Sequence, residues 1–194
     1  FQKDEVVNAE YDNVLLNVTF VDYDGTVLKT QTVKYAGAAE APIEPSRTGY
    51  TFIGWDKSFD RITIDTVITA KYLADVYVVI FVDWQGDELS FQRVEHGSAA
   101  VAPIVPEREG YTFIGWDKEF DEVTGDMIIN ALYEINKYTV TYITDGNGTL
   151  TGTTSVEVEY GDELYDVARP TPVANEGYTF IGWTPKFPAT VEGD

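Results

Sequence analysis

The chain has 194 residues, with 33 acidic against 13 basic side chains and a formal net charge of −20. A surface this acidic repels phosphate, which argues against nucleic acid and anionic membranes as partners, and it keeps copies soluble and apart. There is no cysteine, so disulfides, thiolate metal sites and cysteine catalysis are excluded; no run of 18 apolar residues is present to span a membrane.

In chain order, residues 4–11 read Asp-Glu-Val-Val-Asn-Ala-Glu-Tyr. The same pattern returns at 65–72 and 126–133: Asp, three mostly apolar residues, Thr or Asn, Ala, one variable residue, Tyr. Residues 4–11 are therefore expected to be the closing strand of a preceding unit. A unit then opens with a strand in which Leu16, Val18 and Phe20 alternate on one face. Tyr77, Val79 and Phe81 are their counterparts, then Tyr138, Val140 and Tyr142. Period-two alternation of apolar residues predicts one buried face. Turns follow at Asp22-Tyr23-Asp24-Gly25, Asp83-Trp84-Gln85-Gly86 and Asp145-Gly146-Asn147-Gly148, where Asp, Asn and Gly tolerate positive φ. A second strand runs to Tyr35, His96 and Tyr160.

Short Ala-rich or acidic pieces come next, at 38–41, 98–102 and 162–168. They predict a short helix, best formed in the third copy with Asp162 as its N-cap. Prolines end each piece: Pro42 and Pro45, Pro103 and Pro106, Pro170 and Pro172. The strongest motif follows as a third strand. It is Gly49-Tyr50-Thr51-Phe52-Ile53-Gly54-Trp55, repeated as Gly110-Tyr111-Thr112-Phe113-Ile114-Gly115-Trp116 and as Gly177-Tyr178-Thr179-Phe180-Ile181-Gly182-Trp183. A loop carrying Phe59, Phe120 or Phe187 leads to the closing strand. The third copy reaches Asp194, the position before a closing strand.

The signature glycines Gly54, Gly115 and Gly182 are spaced 61 and 67 residues apart, so the chain is a tandem array of small domains. The divisions are 1–11, a closing strand of a preceding repeat; 12–73, repeat 1; 74–134, repeat 2; and 135–194, repeat 3 lacking its closing strand. The order β-β-short α-β-β predicts an α+β class, mostly β, with β-grasp-like repeats. An all-β sandwich unit without a helix is the alternative. Linkers of four residues, Leu73–Val76 and Glu134–Lys137, leave little slack and predict an elongated rod.

The phased signature, the Pro-rich loop before it and the closing strand ending in Ala-x-Tyr together resemble the Listeria–Bacteroides repeat, the B-repeat type of internalin B. The resemblance covers essentially the whole chain. It implies a β-grasp-like fold, an extracellular place at the bacterial cell surface or wall, and a spacer or adhesive role. The Trp-to-Phe loops of the first two units, Asp56-Lys57-Ser58 and Asp117-Lys118-Glu119, are shorter than the family pattern.

Catalysis finds little support. His96 is the only histidine and occupies the place of Tyr35 and Tyr160, which cannot serve as a general base near neutral pH. Asp65 and Asp126 recur, but at a turn before the closing strand. Asp22, Asp24 and Gly25 match part of a calcium loop, yet the distal Glu is missing and a hairpin turn suits them better. The reading is a non-catalytic stalk or spacer without cofactor or metal. Trp55, Trp116 and Trp183 suit either a sugar platform or a core; the size of the unit favours core. Trp84, in a turn, is the candidate exposed ligand contact of the alternative reading, a glycan- or host-protein-binding module. A third unit without a closing strand also presents an open edge that residues 4–11 of a neighbouring molecule would fill.

Overall fold

In a computed structural model, residues 7–163, 167–184, 186 and 190–192 are described. The first unit has four strands: β1 (Leu15–Val21), β2 (Val27–Lys34), β3 (Tyr50–Trp55) and β4 (Thr66–Ala74). They form one sheet in the order β2-β1-β4-β3. The outer pairs are antiparallel, and β1 runs parallel to β4, with Val18 opposite Thr66 and Val21 opposite Thr69. The second unit repeats this with β5 (Val76–Val82), β6 (Glu88–Glu95), β7 (Tyr111–Trp116) and β8 (Met127–Ile135), in the order β6-β5-β8-β7.

Alternation sets the core. Val18, Phe20 and Ile68 are fully buried in the first unit, and Val79, Phe81 and Ile129 are their equivalents in the second. Leu16, Trp55 and Phe59 pack against the first cluster. At the first hairpin, Asp22 O accepts from Gly25 N–H at 3.0 Å and the Asp24 carboxylate accepts from Thr26 N–H at 2.9 Å. Gly25 has φ 88°, so the Asp-Gly pair makes a turn.

The third unit differs. Strands β9 (Lys137–Thr141) and β11 (Ser155–Glu159) pair antiparallel, as do β10 (Gly148–Thr151) and β12 (Thr171–Ala174). Residues 177–183, expected as a third strand, are not in one. In the first two units this motif finds its ladder partner in the closing strand.

Among the described residues there is no helix, so the expected α+β, β-grasp-like class is corrected to all-β. The pieces at 38–41 and 98–102 are too short to offset helix nucleation and end at proline. Their polar backbone groups find other partners. Ala39 N–H donates to Phe59 O at 2.9 Å, and Ala100 N–H to Phe120 O at 2.9 Å. The Gln31 side chain bridges both backbone groups of Glu40, and Gln92 does the same for Val101. The third piece, with the expected cap at Asp162, includes residues 164–166, which lie outside those described; Asp162 itself accepts from Glu159 N–H at 2.8 Å. Phe187, Asp4 and Asp194 also lie outside them. Residues 7–14 are in no strand.

The chain divides into two compact units. One comprises Phe1–Tyr77, Arg93–Ala99 and Asp121–Gly125; the other comprises Val78–Gln92, Ala100–Phe120 and Asp126–Asp194.

Candidate functional site

The signature is a bulged strand. Period two would send Phe52 and Trp55 to opposite faces. The ladder with β4 shifts between Phe52 and Gly54, and Gly54 has φ 116°. The extra residue brings both rings to the core side while Ile53 stays exposed. Trp55 meets Phe20 edge-on at 4.9 Å and Phe52 at 5.4 Å. The second unit matches: the shift lies between Phe113 and Gly115 (φ 137°), and Trp116 meets Phe81 at 4.8 Å and Phe113 at 5.4 Å. In the third, Trp183 meets Tyr142 at 5.0 Å and Phe180 at 5.4 Å, with Gly182 at φ 139°. The three tryptophans are half-buried, each against the aromatics of its own repeat.

The first glycine of the signature does different work. Gly49 has φ 73°, and an added Cβ would sit 2.1 Å from the His96 ring. Gly110 has φ 75°, and an added Cβ would sit 2.0 Å from the Tyr160 ring. Each ring belongs to the following repeat and covers the glycine of the one before. Short bonds tie the linker alongside. Asp75 N–H donates to Gly49 O at 2.9 Å, and His96 N–H donates to Asp75 O at 2.8 Å. The Thr51 hydroxyl donates to the Asp75 carboxylate at 2.7 Å. At the next junction Asn136 N–H donates to Gly110 O, Tyr160 N–H to Asn136 O, and the Thr112 hydroxyl to the Asn136 side chain at 2.6 Å. Each junction falls within one compact unit. Tyr50 and Tyr77 face His96 with ring centres at 5.6 and 5.9 Å. The Tyr160 phenol is held above its ordinary pKa, first by its hydrogen bond to the Glu109 carboxylate and then by burial. Gly177 has open space beside it.

Arginine stacking was not legible in the signature itself. The Arg47 guanidinium lies 3.8 Å from the Tyr23 ring centre and 3.5 Å from that of Tyr50. Arg108 lies 3.5 Å from Tyr111 and 5.5 Å from Trp84. The available signal was the in-phase Arg two residues before Gly49 and Gly110, replaced by Asn175 in the third copy. Trp84 is half-buried and meets Tyr133 edge-on at 5.2 Å. Tyr178 and Phe180 are exposed.

The carboxylates serve the backbone. Asp65 accepts from Asn17 N–H and Asp126 from Val78 N–H, both at 2.8 Å, at the start of the parallel pairing. Asp117 accepts from Asn130 N–H at 2.7 Å and from its side-chain amide at 2.6 Å. Asp22 accepts from the Tyr72 hydroxyl at 2.7 Å. Burial first, and then this bond, pushes Tyr72 up to about 12. Among the described residues no group of three His, Cys, Asp or Glu side chains is placed to hold a metal.

The Listeria-Bacteroides repeat domain model matches residues 17–72, 77–131 and 138–188. A protein of Evansella cellulosilytica named as a membrane protein is 31% identical over 90% of this chain and 28% of its own length. A second from the same bacterium, named as a Gly-rich membrane protein, is 28% identical over 90% of this chain and 22% of its own length. Internalin H of Listeria monocytogenes is 30% identical over 58% of this chain and 25% of its own length. The chain thus spans about a quarter of the length of these curated relatives.

Proposed function

The chain belongs to the Listeria–Bacteroides repeat family, of the B-repeat type, and on that premise we propose that it is the non-catalytic repeat region of a bacterial cell-surface or secreted protein, serving as a stalk or spacer. The observation that carries this reading is the junction, which is built twice from the same parts: a ring of one repeat on the glycine of the last, a linker residue bonded on both sides, and a threonine hydroxyl closing the turn. A joint with three hydrogen bonds and a packed ring resists bending, as a spacer requires. Among the described residues the recurring side chains are spent on turns, bulges and joints, and no nucleophile, base and orienting group stand together there. The names of the relatives, two membrane proteins and an internalin, fit a place in the cell envelope.

The test is a display experiment. One, two or three repeats are placed between a cell-wall anchor and an epitope on a Gram-positive cell, and antibody access is measured on intact cells. Access should rise with repeat number. Access independent of repeat number, or retention of a glycan or host protein by the isolated chain that is lost in Trp84→Ala, would overturn the reading in favour of a binding module.

A further inference from the structure

The outer face of the second repeat's sheet is apolar where its sister repeats are polar. In the first repeat Thr19 lies opposite Thr30 on one side and Val67 on the other. In the third, Thr141 lies opposite Ser155. The second repeat has Ile80 and Phe91 at the places of Thr19 and Thr30, and Leu132 at that of Lys71. Ile80 lies opposite Ile128, and Leu132 lies opposite Gly115, next in sequence to Ile114. Strand alternation turns Ile80, Phe91, Ile128 and Leu132 away from the buried Phe81, Val94, Ile129 and Ala131. Phe91 is 54%, Ile128 52%, Leu132 41% and Ile114 58% exposed.

The fold does not require these side chains. The first repeat builds the same four-stranded sheet with Thr and Lys in their places, and threonine suits a strand as isoleucine does. What the apolar groups add is a surface that gains by leaving water. The row from Phe91 through Ile80 to Ile128 carries no charge, and its border is acidic. Glu134 follows Leu132 on the same face, and Asp87 and Glu88 stand at the start of β6, all three exposed. β6 runs on to Arg93 and Glu95, one charge of each sign. The nearby Lys118 ammonium is engaged with Ile128 O.

We propose that this outer sheet face docks a cationic protein segment with one apolar side. Its apolar residues cover Ile80, Phe91, Ile128 and Leu132, and its Lys or Arg groups reach Glu134, Asp87 and Glu88. A second copy of the chain is the poorer occupant, because two chains of charge −20 repel. The patch is also small. It spans about 14 Å across the strands and about 13 Å along them, on the order of 300 Å² with its margins. A stable pair needs about 800 Å² per partner. Opposite charge draws the cationic segment in, and the apolar row holds it. The inference goes beyond the spacer reading and does not depend on it, since one repeat can hold a spacing and carry a docking face.

The probe is a capped peptide of about eight residues that alternates leucine and lysine, matching the period of a strand. Serine–lysine and leucine–glutamate peptides of equal length are the comparators. Binding to the 194-residue chain is read by fluorescence anisotropy and calorimetry, and mapped on backbone amides by NMR. The leucine–lysine peptide should bind once per chain, shift amides around 80, 91, 128 and 132, and weaken with added salt. The serine–lysine peptide should bind at least about tenfold more weakly, and the leucine–glutamate peptide should not bind. The double change Ile80→Thr with Phe91→Thr installs the first repeat's residues and leaves the net charge unaltered; it should weaken binding at least about tenfold. The reverse change, Thr19→Ile with Thr30→Phe, should create a second site and raise the stoichiometry from one to two, which keeps the test decisive if the first variant folds poorly. Four results overturn the proposal: no binding of the leucine–lysine peptide, equal binding of the serine–lysine peptide, equal affinity in a folded double variant, or a stoichiometry that stays at one in the reverse variant. Self-association of the parent chain that the double variant loses also overturns it, and assigns the face to a second copy.

Discussion

Replacing Gly110 by alanine puts a methyl group 2.0 Å from the Tyr160 ring, at a backbone φ of 75°. Two costs follow. The left-handed conformation costs alanine about 1–2 kcal/mol. Forcing a methyl group into a filled space costs about 1–3 kcal/mol more, as ring and linker shift apart. The total, about 2–5 kcal/mol, is a large share of the stability of a small domain, and it falls on the joint between the second and third repeats. Gly25→Ala is the control. Its φ is 88° but nothing lies within 4 Å of an added Cβ, so only the backbone cost of about 1–2 kcal/mol applies. Urea unfolding followed by tryptophan fluorescence reads both; at about 1–3 kcal/mol per molar urea, Gly110→Ala should lower its midpoint by about 1 M or more. In a Tyr160→Ala background the steric share disappears, and Gly110→Ala should then cost no more than Gly25→Ala. Equal costs for the two glycines in the parent chain, or an unchanged cost for Gly110→Ala after Tyr160→Ala, would refute the ring-on-glycine joint.

Three further outcomes are expected. Trp116→Ala removes the ring packed on Phe81 and Phe113 and should destabilise the second repeat by about 3 kcal/mol in the same assay, the low end for an aromatic truncation because the ring is half-buried. Asp126→Ala leaves Val78 N–H without its acceptor; a loss of about 1–2 kcal/mol is expected, with faster amide exchange at Val78 and substantial recovery in Asp126→Asn. Stability should also fall at both ends of the pH range. Burial acts to raise the Asp117 carboxyl, but the bonds from Asn130 and the charge of Lys118 outweigh it and hold the group below its ordinary 3.8. Its contribution is present above pH 3.8 and is lost as pH drops through the lowered value. Tyr72 is the opposite case: its neutral phenol contributes fully below pH 10, and the contribution is lost as pH rises from 10 towards about 12. Thermal melts across pH should show both limbs, the acid one flattened in Asp117→Asn and the alkaline one in Tyr72→Phe.

What the sequence by itself determined is whatever depends on period and recurrence. Alternation placed Val18 and Phe20, and then Val79 and Phe81, on a buried face, because side chains along a strand alternate whatever the rest of the chain does. Asp24-Gly25 announced a turn by its local backbone preference. Three in-phase copies of the signature announced the array and its family. Tertiary structure decided the rest, because partners distant in sequence outbid local preference. The pieces at 38–41 and 98–102 carry helix-forming alanines, but Phe59, Phe120 and the Gln31 and Gln92 side chains take their hydrogen bonds, so they stay irregular. Trp84 sits in a turn, yet Tyr133 and Arg108 arrive from far along the chain to cover it. His96 and Tyr160 looked interchangeable as sequence; only folding shows that each ring rests on the preceding repeat's glycine, where a Cβ would have no room.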